Sequence, residues 1–184
     1  MTPRNGPRGA LYQTASAIVE LRANTSMRQK TPNGFSLIEL LIVVAIILVI
    51  AAIAIPNLLR ARISANEASC ISSIHAVNTG EITYTTLFPQ VGYSANLAQL
   101  GPGGGCISPA NACIIDGMLS SGTKSGYLFT YVQAAGGPPA PGYTLNADPV
   151  SRGITGQRSF YSDQGNLTYY NQAAVAGPTD PQLQ

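Results

Sequence analysis

The chain has 184 residues, of which 10 are basic and 8 acidic, so that only 10% carry charge, against roughly 25% in ordinary soluble domains. With 45% apolar residues and a formal net charge of +2, the composition argues against a disordered chain and against a nucleic-acid binder. The length allows one domain of moderate core with an appendage. Five of the ten Lys and Arg lie in the first 34 residues, opposed only by Glu20. From Phe35 onward acidic residues outnumber basic ones by seven to five, so the charge changes sign at this point.

An apolar segment, Phe35–Ile55, follows the basic region directly, and only Ser36 and Glu39 in it are not apolar. As a helix it spans roughly 31 Å, about the thickness of a bilayer hydrocarbon core. A buried core helix is the alternative, but the segment is apolar on every face, which is not typical of a helix on a protein surface. The segment is therefore predicted to cross a membrane, with the preceding basic residues on the cytoplasmic side.

Glu39 is the one carboxylate inside this apolar segment. An ionisable group in a membrane is costly and is usually retained for a partner. Two interpretations stay open: the side chain reaches the lipid headgroups, or it meets a cationic partner within the membrane.

The junction Lys30–Glu39, KTPNGFSLIE, resembles the leader junction of type IV pilins and pseudopilins. That pattern is a short basic leader ending in Gly, then Phe, then an apolar helix with Glu at its fifth residue. The resemblance implies that a prepilin peptidase cuts between Gly34 and Phe35 and N-methylates the new amine of Phe35. It further implies that Glu39 pairs with the Phe35 amine of a neighbouring subunit during assembly.

The leader of 34 residues is longer than such leaders typically are. Starting at Met27 gives a leader of eight residues, 27–34, with two basic side chains. We therefore expect Met27 to be the true start and residues 1–26, which show no periodicity, to be an artefact of gene calling.

Pro56 ends the apolar segment and is predicted to bend the helix. Beyond it an amphipathic half, residues 57–88, continues the helix to about Leu87, where Pro89 stops it. The predicted buried face carries Leu59, Ile63, Ile71, Ile74 and Val77, and the predicted exposed face carries Arg60, Asn66, Glu67 and Ser73. Such a pattern indicates that a domain packs on this half.

Residues 89–126 are rich in glycine and predict a loop region, and residues 127–184 alternate with a period of two, which is typical of strands. The tract Gly101–Gly105 lacks the Lys-Ser/Thr of a phosphate-binding loop. We predict short helical turns at Leu97–Leu100 and Cys113–Leu119, and strands at Tyr127–Val132, Tyr143–Asp148, Arg158–Ser162 and Leu167–Tyr170. The predicted fold class is α+β, a long N-terminal helix packed on an antiparallel β-meander.

Three cysteines lie outside the apolar segment, in a part of the chain expected outside the cytoplasm, where disulfides persist. Cys106 and Cys113 lie seven positions apart in the loop region and are expected to pair, leaving Cys70 as a small buried residue of the helix. Pairing of Cys70 with either loop cysteine is the alternative. His75 is the only histidine and is expected to be structural or exposed.

No catalytic constellation, cofactor motif or metal-ligand set is evident, so an enzyme is not expected. The resemblance implies a type IV pilin: a precursor with one membrane span and a cytoplasmic N-terminus, later part of an extracellular filament. Its implied partners are copies of itself, the prepilin peptidase, the assembly machinery of the bacterial inner membrane, and membrane lipid.

Two alternatives remain. One is the major pseudopilin of a type II secretion system, which tends to carry Asp-Pro-Trp-Gly where this chain has Asp148-Pro149-Val150-Ser151. The other is a membrane-anchored binding domain with a pilin-like leader.

Overall fold

The computed structural model of the chain describes residues 34–183. Residues 1–33, which contain the expected start at Met27 and most of the leader, lie outside the described residues. The chain divides into two compact units, Met1–Ile47 and Leu48–Gln184. The first described element, helix α1, comprises Leu37–Leu87 and has 51 residues.

Helix α1 begins with the carboxylate half of a capping box, in which Ser36 precedes the helix and Glu39 is its third residue. The Ser36 backbone N–H donates to Oε2 of Glu39 at 2.9 Å, so the carboxylate satisfies an amide that the helix leaves open. Pro56 lies inside α1, which continues to Leu87; a bend at Pro56 stays a prediction.

The end of α1 agrees with the sequence prediction. Phe88 and Pro89 follow Leu87, and a residue before proline is disfavoured in the helical conformation. Gly92 then turns the chain with φ of 78°, a conformation that glycine adopts without strain. A Cβ at Gly92 would meet the backbone of Ala140 at 2.4 Å, so this close approach also requires glycine.

A five-stranded antiparallel sheet follows, with the strands in sequence order β1-β2-β3-β4-β5. The strands are β1 Thr123–Lys124, β2 Tyr127–Gln133, β3 Tyr143–Pro149, β4 Ser159–Asp163 and β5 Thr168–Asn171. The α+β fold and the meander are thus confirmed. Strand β1, with two residues, is missing from the sequence prediction because it is too short to show alternation.

Two short helices lie between α1 and the sheet: α2, Leu97–Leu100, and α3, Gly117–Ser120. Asn96 and Asp116 cap them through their side-chain oxygens. The prediction for α2 is confirmed. For the second turn, predicted at Cys113–Leu119, the helix begins only at Gly117, because Asp116 accepts the N–H groups of Met118 and Leu119 and so defines its start.

The core lies between the second half of α1 and the inner face of the sheet. Alternate residues of β2 and β3 point inward, so their tyrosines pack in the core as sheet residues. The fully buried members with the largest side chains include Tyr84, Tyr127, Tyr143, Phe160, Ile74, Leu100, Leu119 and Leu145.

The outer face of the sheet is partly covered by the chain that follows β5. Strand β4 is buried on both faces along Ser159–Ser162. Asn146 of β3 donates its side-chain amide to the carbonyl of Ala176 at 2.7 Å, and the Leu183 N–H donates to the Thr168 carbonyl at 2.8 Å. The last described residues therefore cross the outer face and then pair with the free edge of β5, which protects that edge from other strands.

Candidate functional site

The leader junction precedes α1 and is fully accessible. Gly34, Phe35 and Ser36 have no regular secondary structure, and the Phe35 side chain is 74% exposed. A Cβ added at Gly34 would meet no atom within 4 Å. The described residues therefore impose no packing requirement for glycine at position 34.

The first half of α1 is an exposed apolar surface. The large apolar side chains from Leu37 to Leu59 are 42% exposed or more. Within the described residues, α1 is the one helix that is long and apolar enough to cross a membrane, and its most apolar stretch has no buried residue. Such a surface is stable only against lipid or against another apolar surface.

Glu67 contradicts the prediction that it lies on the exposed face of α1. It is 7% exposed and accepts the backbone N–H groups of Gln157 and Arg158 at 2.9 and 3.0 Å. Nε and Nη2 of Arg158 each lie 2.9 Å from Oε2 of Glu67. The prediction of exposure was wrong because these partners arrive from the β3–β4 connection, 90 and 91 positions away.

Arg158 itself contacts two neighbouring rings. Its guanidinium carbon lies 5.4 Å from the ring centroids of both Phe160 and Tyr170. Burial would raise the pKa of Glu67, but the Gln157 and Arg158 amides and the Arg158 guanidinium together lower it below its ordinary value. Glu67 therefore stays ionised and fixes the sheet to α1.

Glu81 is a second buried carboxylate that sequence analysis did not single out. It is 0% exposed, and its oxygens accept the Ser94 backbone N–H at 3.1 Å and the Ser94 hydroxyl. The Tyr131 hydroxyl donates to the Ser94 carbonyl at 3.0 Å. Burial raises the pKa of Glu81, since no cation pairs with it among residues 34–183. This cluster fastens the loop that follows α1.

The sequence does contain a signal for both carboxylates. The buried residues of α1 follow one another at alternating intervals of three and four, and both carboxylates belong to this stripe: Glu67, Cys70, Ile74, Val77, Glu81 and Tyr84. A polar residue in such a stripe is buried with the stripe and requires a partner. Ser73, also predicted to be exposed, is 3% exposed and donates its hydroxyl to the Ser69 carbonyl at 2.9 Å.

Asn78 joins α1 to the β4–β5 turn. Its amide nitrogen donates to the Ser162 hydroxyl and to Oδ1 of Asn166, both at 2.8 Å, and its oxygen accepts the Tyr143 hydroxyl at 2.7 Å. Because Asn78 is 1% exposed, each of these bonds satisfies a buried polar group.

The disulfide joins Cys106 to Cys113, with the Cα atoms 5.3 Å apart, and Cys70 is buried as a free thiol. The alternative of a bond through Cys70 is therefore not present. The Tyr84 hydroxyl of α1 donates to the Pro109 carbonyl inside this loop at 2.7 Å. His75 is exposed on α1, and residues 34–183 contain no group of three or more side chains that could hold a metal ion.

Comparisons with known proteins concern the leader junction and the helix after it. Residues 30–55 match the family described as the prokaryotic N-terminal methylation motif. The N-terminal region therefore carries the leader junction and apolar helix of the methylation motif, and the resemblance drawn from Lys30–Glu39 is confirmed.

A particular relative extends this result. Over 38 residues the chain is 60% identical to the type IV wide pilus major component PilA4 of Thermus thermophilus. This match covers 21% of the chain and 29% of PilA4, so it spans less than a third of that relative. No solved structure matches the chain.

Proposed function

We propose that the protein is a structural subunit of a type IV pilus. A prepilin peptidase cleaves the precursor between Gly34 and Phe35 and methylates the new amine of Phe35. The subunit then waits in the inner membrane and polymerises into a surface filament. The peptidase carries out the chemistry, and the chain itself is a structural subunit of the filament.

One observation carries this proposal: the methylation motif of residues 30–55 includes both the leader junction and the exposed apolar half of α1. The accessible junction around Phe35 suits a peptidase, and the glycine at position 34 suits a cleft that excludes a Cβ. The bare apolar helix suits first a bilayer and then a filament interior, where packing against neighbouring helices covers it.

The capping box supports a specific role for Glu39. Before assembly its carboxylate has a local partner, the Ser36 N–H. Cleavage creates a positive amine on Phe35, and a carboxylate and an ammonium group that are both in an apolar environment offset each other's desolvation only by meeting. Glu39 then exchanges a neutral donor of its own chain for the charged amine of a neighbour.

The proposal assigns a role to each part of the chain. Residues 1–26 are upstream sequence that is not translated, 27–34 the leader, 35–56 the membrane and filament-core helix, 57–88 the amphipathic half, 89–126 the glycine-rich loop, and 127–184 the sheet and tail. The precursor has its N-terminus in the cytoplasm, and the assembly machinery of the inner membrane extracts it.

The similarity to a pilus component favours a pilus over the pseudopilus of a type II secretion system, and the absence of tryptophan from the chain agrees with this. A membrane-anchored binding domain would need a ligand pocket, and the groove beside Glu67 and Arg158 is open to solvent.

Mass spectrometry of sheared surface filaments tests the proposal. The expected main band begins with N-methylated Phe35, and electron microscopy of the same material shows fibres. In a strain without the prepilin peptidase the precursor should accumulate in the membrane and begin at Met27. A surface protein beginning anywhere else, or surface material without this chain, would contradict the proposed function.

A further inference from the structure

In the head, which consists of the second half of α1 and the sheet, some charged side chains have no partner of opposite charge. Residues 34–183 contain two ion pairs, Lys124–Asp116 and Arg158–Glu67. Arg152 instead donates to three carbonyls and the Ser159 hydroxyl. Arg60 and Arg62 are exposed on α1, and neither has a hydrogen bond or an ion pair in this part of the chain. Unpaired positive charge thus lies on one turn of α1, at Arg60 and Arg62, four and six residues after Pro56 and on opposite sides of the helix.

Three aspartates of the described residues, Asp148, Asp163 and Asp180, have no cation partner, and of these only Asp163, on the β4–β5 turn, lies at the other end of the head. Asp163 begins this turn, where its Oδ1 accepts the Gly165 N–H at 2.8 Å and its Oδ2 the Tyr161 hydroxyl at 3.4 Å. No cation pairs with it within residues 34–183. The bond between Asn78 and Asn166 holds the turn beside Asn78. Since Asn78 is 18 positions beyond Arg60, the turn lies roughly 27 Å further along the axis of α1.

An open-ended filament needs such an arrangement. Identical subunits that repeat along an axis meet through two different surfaces, and each subunit must carry both. We propose that this basic turn of α1 in one subunit, through Arg60 or Arg62, contacts Asp163 of a subunit that follows it along the filament axis. This inference rests on the proposed function and names the surfaces through which a second copy of this chain binds.

The physical role of this contact is to set register. The apolar halves of α1 associate by packing, which hardly depends on how far one helix has slid past another. Opposite charges at fixed positions on a rigid head favour one axial offset over the others, and complementary charge fixes orientation more than it adds affinity. A small free energy for each contact suffices, because every subunit repeats it.

Substitutions that remove charge and keep size test the contact in the full-length chain in its pilated host. Asp163→Asn keeps the oxygen that accepts the Gly165 N–H, and Arg60→Gln with Arg62→Gln alters only exposed positions. Each should lower the amount of sheared filament about fivefold, which corresponds to losing one interfacial ion pair. The processed subunit should remain in the membrane at wild-type amounts.

Asp148→Asn is the matched control. Like Asp163, Asp148 has no ion pair in the described residues, and it also has no side-chain hydrogen bond there. It lies at the end of β3 away from Tyr143, which bonds Asn78, and is therefore far from the β4–β5 turn. The same change of charge there should leave filament yield within twofold of wild type. An equal loss in Asp148→Asn and Asp163→Asn would overturn the proposed contact, since net charge alone would then explain both.

A charge exchange gives the decisive result. Arg60→Glu with Arg62→Glu should abolish filaments, and adding Asp163→Lys to the same chain should restore them, because each subunit then carries two complementary surfaces of reversed sign. Asp163→Ala removes the charge and the Gly165 bond together, so its difference from Asp163→Asn measures the effect of losing that bond. No restoration, or undiminished filaments in Asp163→Asn, overturns this contact and leaves the proposed function intact. A wild-type chain that is absent from surface filaments overturns the proposed function itself.

Discussion

Glu67 and Arg158 are 91 positions apart in sequence, yet their side chains meet at 2.9 Å where α1 and the sheet join. The Glu67 side chain is 9% exposed and that of Arg158 30%, so the pair is shielded from water and counter-ions more than a surface pair is. Two backbone amides and two aromatic rings complete the cluster. It holds the sheet at one fixed place along the helix.

Replacing Glu67 by alanine should destabilise the head strongly. The substitution leaves the Arg158 guanidinium without its carboxylate and two backbone amides without their acceptor, which costs about 3 kcal/mol. Urea denaturation of the detergent-solubilised chain, followed by circular dichroism, measures this change in the free energy of unfolding. Asp116→Asn is the control, because it removes the charge from the more exposed Lys124 pair and keeps the α3 cap; its cost should stay below about 1 kcal/mol. Similar costs for the two substitutions would contradict the central role of Glu67.

Stability should depend on pH through Glu67 and Glu81 in opposite directions. The pKa of Glu67 is lowered on folding, so its contribution is present above the ordinary value of 4.5 and is lost as the pH falls through the lower folded value. The pKa of Glu81 is raised from 4.5, so its contribution is present below 4.5 and is lost as the pH rises through the higher folded value.

Glu81→Gln tests this assignment. Glutamine keeps an acceptor for the Ser94 N–H and cannot ionise, so the loss of stability with rising pH above 4.5 should become shallower than in wild type. Urea midpoints measured between pH 4.5 and 8 give this slope. Glu67→Gln should leave the slope unchanged and reduce the loss of stability below pH 4.5 instead. Parallel wild-type and Glu81→Gln curves would contradict the assignment.

Much of the fold could be predicted from the sequence because its signals are local. The apolar segment, the stop at Pro89 and the alternation of β2 and β3 are each encoded within a few residues. Predicted strand boundaries lie within one residue of those in the structure, as for Arg158–Ser162 against Ser159–Asp163. Glu67 is buried by residues about 90 positions away in sequence. Its polarity suggested exposure, but its position in the stripe of buried α1 residues indicated burial. The methylation motif could be recognised because its residues, 30–55, are adjacent in sequence.

The disulfide leads to a third prediction. Replacing Cys106 and Cys113 together by serine should lower the free energy of unfolding by about 2–3 kcal/mol, because the crosslink limits the freedom of the unfolded chain. The Cys70 thiol, whose pKa burial raises, should react with an alkylating reagent only after denaturation. Urea denaturation of the wild-type and double-serine chains measures the change in free energy. Non-reducing peptide mapping checks the cysteines: a peptide linked through Cys70, or alkylation of Cys70 in the native chain, would contradict the assigned pairing.

Substitutions at Glu39 can distinguish its role at the start of α1 from its proposed role in filament assembly. Glu39→Gln keeps an oxygen that accepts the Ser36 N–H, so the capping box survives without the charge, whereas Glu39→Ala removes both and costs the helix start about 1 kcal/mol. If the carboxylate pairs with the Phe35 amine of a neighbour, both variants should be inserted in the membrane and cleaved, and both should lose surface filaments. Immunoblots of membrane and sheared fractions, with the N-terminus of the membrane form identified by mass spectrometry, distinguish these steps. Filaments that form normally from Glu39→Gln and fail only from Glu39→Ala would show that Glu39 acts through the helix start, and the proposed pairing with the Phe35 amine would then be wrong.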